Sequence, residues 1–121
     1  QQVYVGGEVE HPGAQPLTPA LTLMRALIVA QGLKPTGAAD RVVILRQGAE
    51  GKAQAIKVDT TPSQAVAGAT VGNDPALAPG DVVLVVPTRV ARVNKWIDQY
   101  IRQNLPINVG TYYSYSPNNG L

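Results

Sequence analysis

The sequence contains no cysteine, which excludes disulfides, thiol catalysis and every Cys-ligated metal. It has a single histidine, His11, too few for a His-based metal cluster. Phenylalanine is absent, and aromatic residues make up 5% of the 121 positions, so the core must be aliphatic, built from Val, Leu, Ile and Ala. No apolar run approaches the ~18 residues of a membrane span; a membrane role would have to use an amphipathic element. There is no initiator Met. The chain opens on Gln1-Gln2 and is expected to be a mature fragment or a cut domain. Charge is sparse as well: 15% charged residues and a formal net charge of +2. The basic residues are scattered, with no helix-turn-helix, zinc-finger or RNP-like pattern, so nucleic acid is not expected as a partner.

What is present is 45% apolar residues, 12 Gly and 10 Pro, a composition of short strands and many turns in one small domain. Val3 to Glu10 alternates with strand period, Val3, Val5 and Val9 sharing a face. Gly6-Gly7 interrupts it, the mark of a bulge or a close backbone approach. His11-Pro12-Gly13 reads as a type II turn, returning a second strand at Gln15 to Leu17. Thr22 is placed to cap a helix running to about Gln31, with Leu23, Ala26, Leu27 and Ala30 as its apolar stripe, widened by Met24 and Ile28. Gly32 sits at the expected left-handed stop. Arg41 to Arg46 is a strand apolar on both faces and hence central. Ala53 to Val58 returns after a Gly-flanked turn, with Ile56 and Val58 on one face. The Ala/Gly-rich stretch Asp59 to Ala76 carries at most one helical turn, near Ser63 to Val66. Pro79-Gly80 is a second type II turn. Asp81 to Pro87 is the last strand, with Val82, Leu84 and Val86 facing one way and Val83 and Val85 the other.

Arg89 to Pro106 then reads as one two-faced helix. Val90, Val93, Trp96, Ile97, Tyr100, Ile101 and Leu105 fall on one side, and Lys95, Asp98, Gln99, Arg102 and Gln103 on the other. Pro106 stops it. By period alone, such a helix packs on its own domain or on a partner. The fold class is α+β: an opening hairpin, a packed helix, further strands and a long C-terminal amphipathic helix. This order fits the β-grasp plan, while the binary pattern leaves other small α+β sandwiches open. The expected divisions are 1–88 for the sheet domain, 89–106 for the helix and 107–121 for a flexible tail.

No catalytic constellation stands out, and no enzyme activity, cofactor or metal is expected. His11 before Pro-Gly is a turn residue. Glu8 and Glu10 share a strand side, the arrangement of a carboxylate pair, but read as a solvated face. Asp59, Asp74 and Asp81 sit where Asp accepts backbone hydrogen bonds. Gly6-Gly7 lacks the Lys-Ser/Thr of a phosphate loop.

Four stretches resemble the soluble-ligand-binding β-grasp (SLBB) domain: Val3 to Leu17 (VYVGGEVEHPGAQPL), the helix end Ala30 to Leu33 (AQGL), the strand closing in Arg46, and Leu77 to Pro87 (LAPGDVVLVVP). The last, a Leu, then Pro-Gly-Asp, then an aliphatic strand ending in Pro, is the most specific, and Asn73 suits the same pattern. Arg92 to Pro106 (RVNKWIDQYIRQNLP) resembles the C-terminal helix of outer-membrane polysaccharide export proteins, which carry SLBB domains. That family's preceding export domain and its acylated lipoprotein Cys do not occur in this sequence, so the resemblance makes the chain a C-terminal fragment.

The resemblance implies a homo-oligomeric ring, periplasmic in its β-grasp part. Its C-terminal helices would gather into an α-helical, porin-like barrel through the outer membrane. The expected partners are a capsular or exopolysaccharide chain, an inner-membrane polysaccharide copolymerase and outer-membrane lipid. Val93, Trp96, Ile97, Tyr100 and Ile101 would face lipid or pack on neighbours. Lys95, Asp98, Gln99 and Arg102 would face the pore, with Lys95–Asp98 and Asp98–Arg102 pairing to leave it nearly neutral. A helix from Arg89 to Asn104 would be about 24 Å long, near the ~25 Å apolar band of outer-membrane barrels. Tyr112, Tyr113 and Tyr115 would mark the far interface. The competing readings are a sugar- or small-ligand-binding β-grasp module and an envelope interaction scaffold, in both of which the helix only packs.

Overall fold

A computed structural model describes residues 1–48, 53–61 and 74–104. The strands are β1 (Gln2–Gly7), β2 (Gly13–Pro16), β3 (Gly37–Gln47), β4 (Ala53–Val58) and β5 (Val82–Pro87); the helices are α1 (Leu23–Val29) and α2 (Val93–Asn104). They form one five-stranded sheet in the order β2-β1-β5-β3-β4. β1 and β5 run parallel and the other neighbours antiparallel. The protein is α+β, and a helix following the first hairpin on a mixed sheet of this order is the expected β-grasp plan. β3 is an internal strand, but β5 holds the centre. β3 begins at Gly37, four residues before the expected start, with a register irregularity between Gly37 and Val42.

Period-2 alternation divides the sheet into two apolar faces. Val3 and Val5 of β1, Val42 and Ile44 of β3, Val83 and Val85 of β5 and Val58 of β4 pack with Leu23, Ala26, Leu27 and Ala30 of α1. Val43, Leu45, Val82, Leu84 and Val86 point the other way and pack with Ile97 and Ile101 of α2. Met24 is partly buried against the first cluster, but Ile28 is exposed and does not widen the stripe.

The start of α1 is capped from a distance. Thr22 Oγ1 accepts from Arg25 N–H, Asp74 Oδ1 accepts from Met24 N–H at 2.8 Å, and the Pro75 carbonyl accepts from Leu23 N–H at 2.9 Å. The end of α1 comes earlier than Gln31. Gln31 N–H donates to Ile28 C=O and Gly32 N–H to Leu27 C=O, the paired bonds of a Schellman stop. The left-handed residue just past the cap is therefore Gln31, at φ 65°, with Gly32 following at φ 88°.

The two expected turns part company. Gly80 has φ 80° and Asp81 N–H donates to Ala78 C=O, so Pro79-Gly80 is a type II turn. Gly13 has φ 154°, far from the roughly +80° of a type II position. It opens β2, and the loop before it is tied to the end of α1 by Glu10 N–H to Gly32 C=O and His11 N–H to Ala30 C=O. The loop follows the helix end it lies on instead of making a tight local turn. The possible turn at Ser63 to Val66, Asn73, Leu105, the stop at Pro106 and the tail tyrosines lie outside the described residues.

The Pro-Gly-Asp turn is locked by charge. Asp81 is buried, its side chain wholly inaccessible, and it accepts from Arg46 Nε at 3.1 Å, Arg46 Nη2 at 2.8 Å and Ala78 N–H at 2.8 Å. Arg46 Nη2 also reaches the Ala76 carbonyl. One bidentate pair thus joins the end of β3 to the start of β5. Removing Asp81 takes the acceptor from the Ala78 N–H and from the Arg46 guanidinium, which is 33% exposed and regains water in part. Asp81→Ala is expected to destabilise the domain by about 2 kcal/mol, read as a lowered urea midpoint with unchanged slope.

Candidate functional site

The candidate functional feature is the seat of α2 on the sheet. After β5 the chain does not enter the helix directly. Val90 N–H donates to Pro87 C=O, a turn, and Arg41 Nη1 donates to the Val90 carbonyl. Arg89 pairs with Glu8 at 3.3 Å. The first helical bond runs from Trp96 N–H to Arg92 C=O. The helix therefore begins at Val93, not Arg89. Its 12 described residues span about 18 Å, less than the length expected from the sequence. Among the described residues no helix is long and apolar enough to cross a membrane.

All five expected apolar-face residues lie toward the sheet. Ile97 is fully buried and Ile101 is 5% exposed, while Val93, Trp96 and Tyr100 are half-buried against the same cluster. The Trp96 and Tyr100 rings are 5.2 Å apart and tilted by 33°, a favourable aromatic geometry. Burying two isoleucines contributes about 4 kcal/mol, which must be replaced by another surface wherever α2 leaves.

Gly6 and Gly7 are what let it seat. A side chain at Gly6 would meet the Tyr100 hydroxyl and the Tyr4 ring. At Gly7, with φ 81°, it would meet the backbone of Val85 and come within 3.1 Å of Trp96. The pair reads in the sequence only as backbone geometry. What would have exposed its role is register: Tyr4 and Gly6 alternate away from Val3 and Val5, and so face α2. The Tyr4 and Tyr100 hydroxyls lie 3.5 Å apart. Burial, then the hydrogen bond that the Tyr4 hydroxyl shares with Tyr100, pushes the Tyr4 phenol well above its ordinary value of 10.0.

The opposite side of α2 faces water. Lys95, Gln99, Arg102 and Gln103 are exposed and Asp98 is half-buried. Asp98 pairs with Arg102 at 3.2 Å. The second expected pair, Lys95–Asp98, is not formed; the carboxylate turns one step along the helix, to the i+4 guanidinium. His11 is an exposed loop residue, Glu8 is taken by Arg89, and Glu10 is exposed. Asp59 accepts from Thr61 N–H at 2.9 Å, which holds its carboxyl below the usual range. The three aspartates singled out in the sequence thus all accept backbone hydrogen bonds. The chemistry on offer is that of surfaces: an apolar helix-and-sheet contact and a polar stripe outside it.

The family model of the SLBB domain matches residues 1–85. This chain belongs to the SLBB domain family. The match ends inside β5, so α2 and its seat-filling aromatics lie beyond the part that defines the SLBB domain. Within it lie Gly6, Gly7, Arg46 and the Pro-Gly-Asp turn. A comparison with curated proteins gives no match.

The perturbed phenol gives a pH dependence. The unfolded chain loses the Tyr4 proton near pH 10 while the folded protein still holds it, so the unfolded state binds fewer protons and stability falls as pH rises. Chemical denaturation is expected to show full stability below pH 10.0 and a decline above it. Tyr4→Phe should make that decline shallower.

Proposed function

We propose that this SLBB domain belongs to a subunit of a polysaccharide export channel in the outer membrane. The β-grasp domain contributes to a periplasmic ring, and α2 is the element that reaches the membrane barrel. The observation that carries this is the direct succession of an SLBB domain and a two-faced helix. On α2, Trp96, Ile97, Tyr100 and Ile101 make one side, and Lys95, Gln99 and Arg102 the other. A ring of such helices satisfies its own backbone bonds in lipid and turns its polar stripes to a water-filled lumen. A capsular or exopolysaccharide chain passes along that lumen after delivery by an inner-membrane copolymerase. The docked α2 is then the form the subunit takes in water. Insertion exchanges the sheet for lipid or for neighbouring helices on the same apolar side.

A second reading is favoured by the close fit of Tyr100 over Gly6. There α2 stays on the sheet, and the chain is a sugar- or small-ligand-binding module or an envelope scaffold. Trp96 is the only tryptophan and distinguishes the two. In lipid vesicles carrying an acyl-chain quencher, the export reading expects the protein to form rings, conduct ions and lose Trp96 fluorescence. Rings that conduct while Trp96 stays unquenched would move the membrane role away from α2. Monomers that bind oligosaccharide without entering lipid would replace the channel with the second reading.

A further inference from the structure

The outward side of α2, continued back to Arg92 just before its first residue, carries more cations than acids. Arg92, Lys95, Gln99 and Arg102 recur at intervals of three and four residues and are all exposed. They therefore lie in a row, about one per 5.4 Å turn over some 15 Å. The row's only acidic neighbour on α2 is Asp98, and it is committed to Arg102. Arg92 and Lys95 have no ion-pair partner among the described residues. Three cations thus face one carboxylate. The row is held straight because the other side of the helix is fixed by Ile97, Ile101 and the Gly6-Gly7 seat.

Resting on the export reading, we propose that this stripe is a contact track for an acidic, carboxylate-bearing polysaccharide. A linear array of exposed cations with an amide among them matches an extended polymer with repeated anionic groups. Each contact is solvent-exposed and individually weak. That suits a chain that must be attracted and still slide, with strength arising from repetition around a ring. A neutral glucan gains nothing from Arg92 and Lys95. Carboxylates on successive sugars gain at each turn of the helix, and salt screens the gain.

The test titrates the 121-residue protein with polygalacturonate, with dextran and with phosphatidylglycerol vesicles, at low and high salt. Polygalacturonate is expected to bind at low salt and to be released at high salt, with dextran bound far more weakly. The double variant Arg92→Gln with Lys95→Gln should lose about tenfold in affinity with an unchanged melting temperature, since both side chains are exposed. Arg25→Gln, an exposed cation on α1, should bind as the parent does. Dextran bound as well as polygalacturonate, no loss in the double variant, or a preference for the anionic vesicles would each overturn the proposal. Conducting rings in lipid together with equal dextran binding would retain the channel and remove its acidic cargo.

Discussion

β3 and β5 carry aliphatic side chains on both faces, and everything else in the molecule answers to that constraint. A sheet of this kind must be covered twice. The first cover is α1, held at its start by Asp74 and Pro75 from a distant part of the chain. The second is α2, which closes over Val43, Leu45, Val82, Leu84 and Val86. Without it, five aliphatic side chains of a small domain would lie in water, an exposed patch of the kind that marks an interface or an aggregation site. The Arg46–Asp81 pair sets the relation of β3 to β5, and so the shape of the surface that both helices cover.

The same constraint gives the functional reading its tension. The apolar side of α2 serves the sheet here, and it is also the side that would meet lipid or neighbouring helices in a barrel. It cannot do both at once. Leaving the sheet forfeits the burial of Ile97 and Ile101 and uncovers the strands beneath, so departure is favourable only when another surface replaces each loss. A membrane or a ring of copies is such a surface. On the proposed export reading, docking in water and insertion in an assembly would be two ends of one equilibrium, biased by what else is present. The polar stripe keeps its character at either end, because it never depends on the sheet.

Much of the fold was legible in the residues. The alternation of Val82 to Val86 predicted which side chains share a face of the sheet, though not which helix covers each face, and the stripe of Leu23, Ala26, Leu27 and Ala30 predicted the buried side of α1. The Pro79-Gly80 turn was legible because Pro and Gly there have the backbone conformations a type II turn requires. Gly13 misled for the converse reason: the loop before it is shaped by hydrogen bonds to the end of α1, which are tertiary. The start of α2 was misplaced for a similar reason, since the Val90 carbonyl is claimed by Arg41 from another strand. The Arg46–Asp81 pair joins residues far apart in sequence, and neither carries a local sign of the other. For the helix, period separated its two sides, but nothing local indicated whether the apolar side would find the sheet. That information sits in Gly6 and Gly7, whose missing side chains leave room for Tyr100 and Trp96.

In water α2 is seated on the sheet, with Tyr100 over Gly6. Proton NMR of the 121-residue chain in aqueous buffer tests it most directly. Cross-relaxation between the Tyr100 ring and the Gly6 Hα protons, ring-current displacement of those protons, and slow exchange of the Ile97 and Ile101 amides are expected. Absence of those contacts, with α2 amides exchanging as fast as those of a free helix, would contradict it.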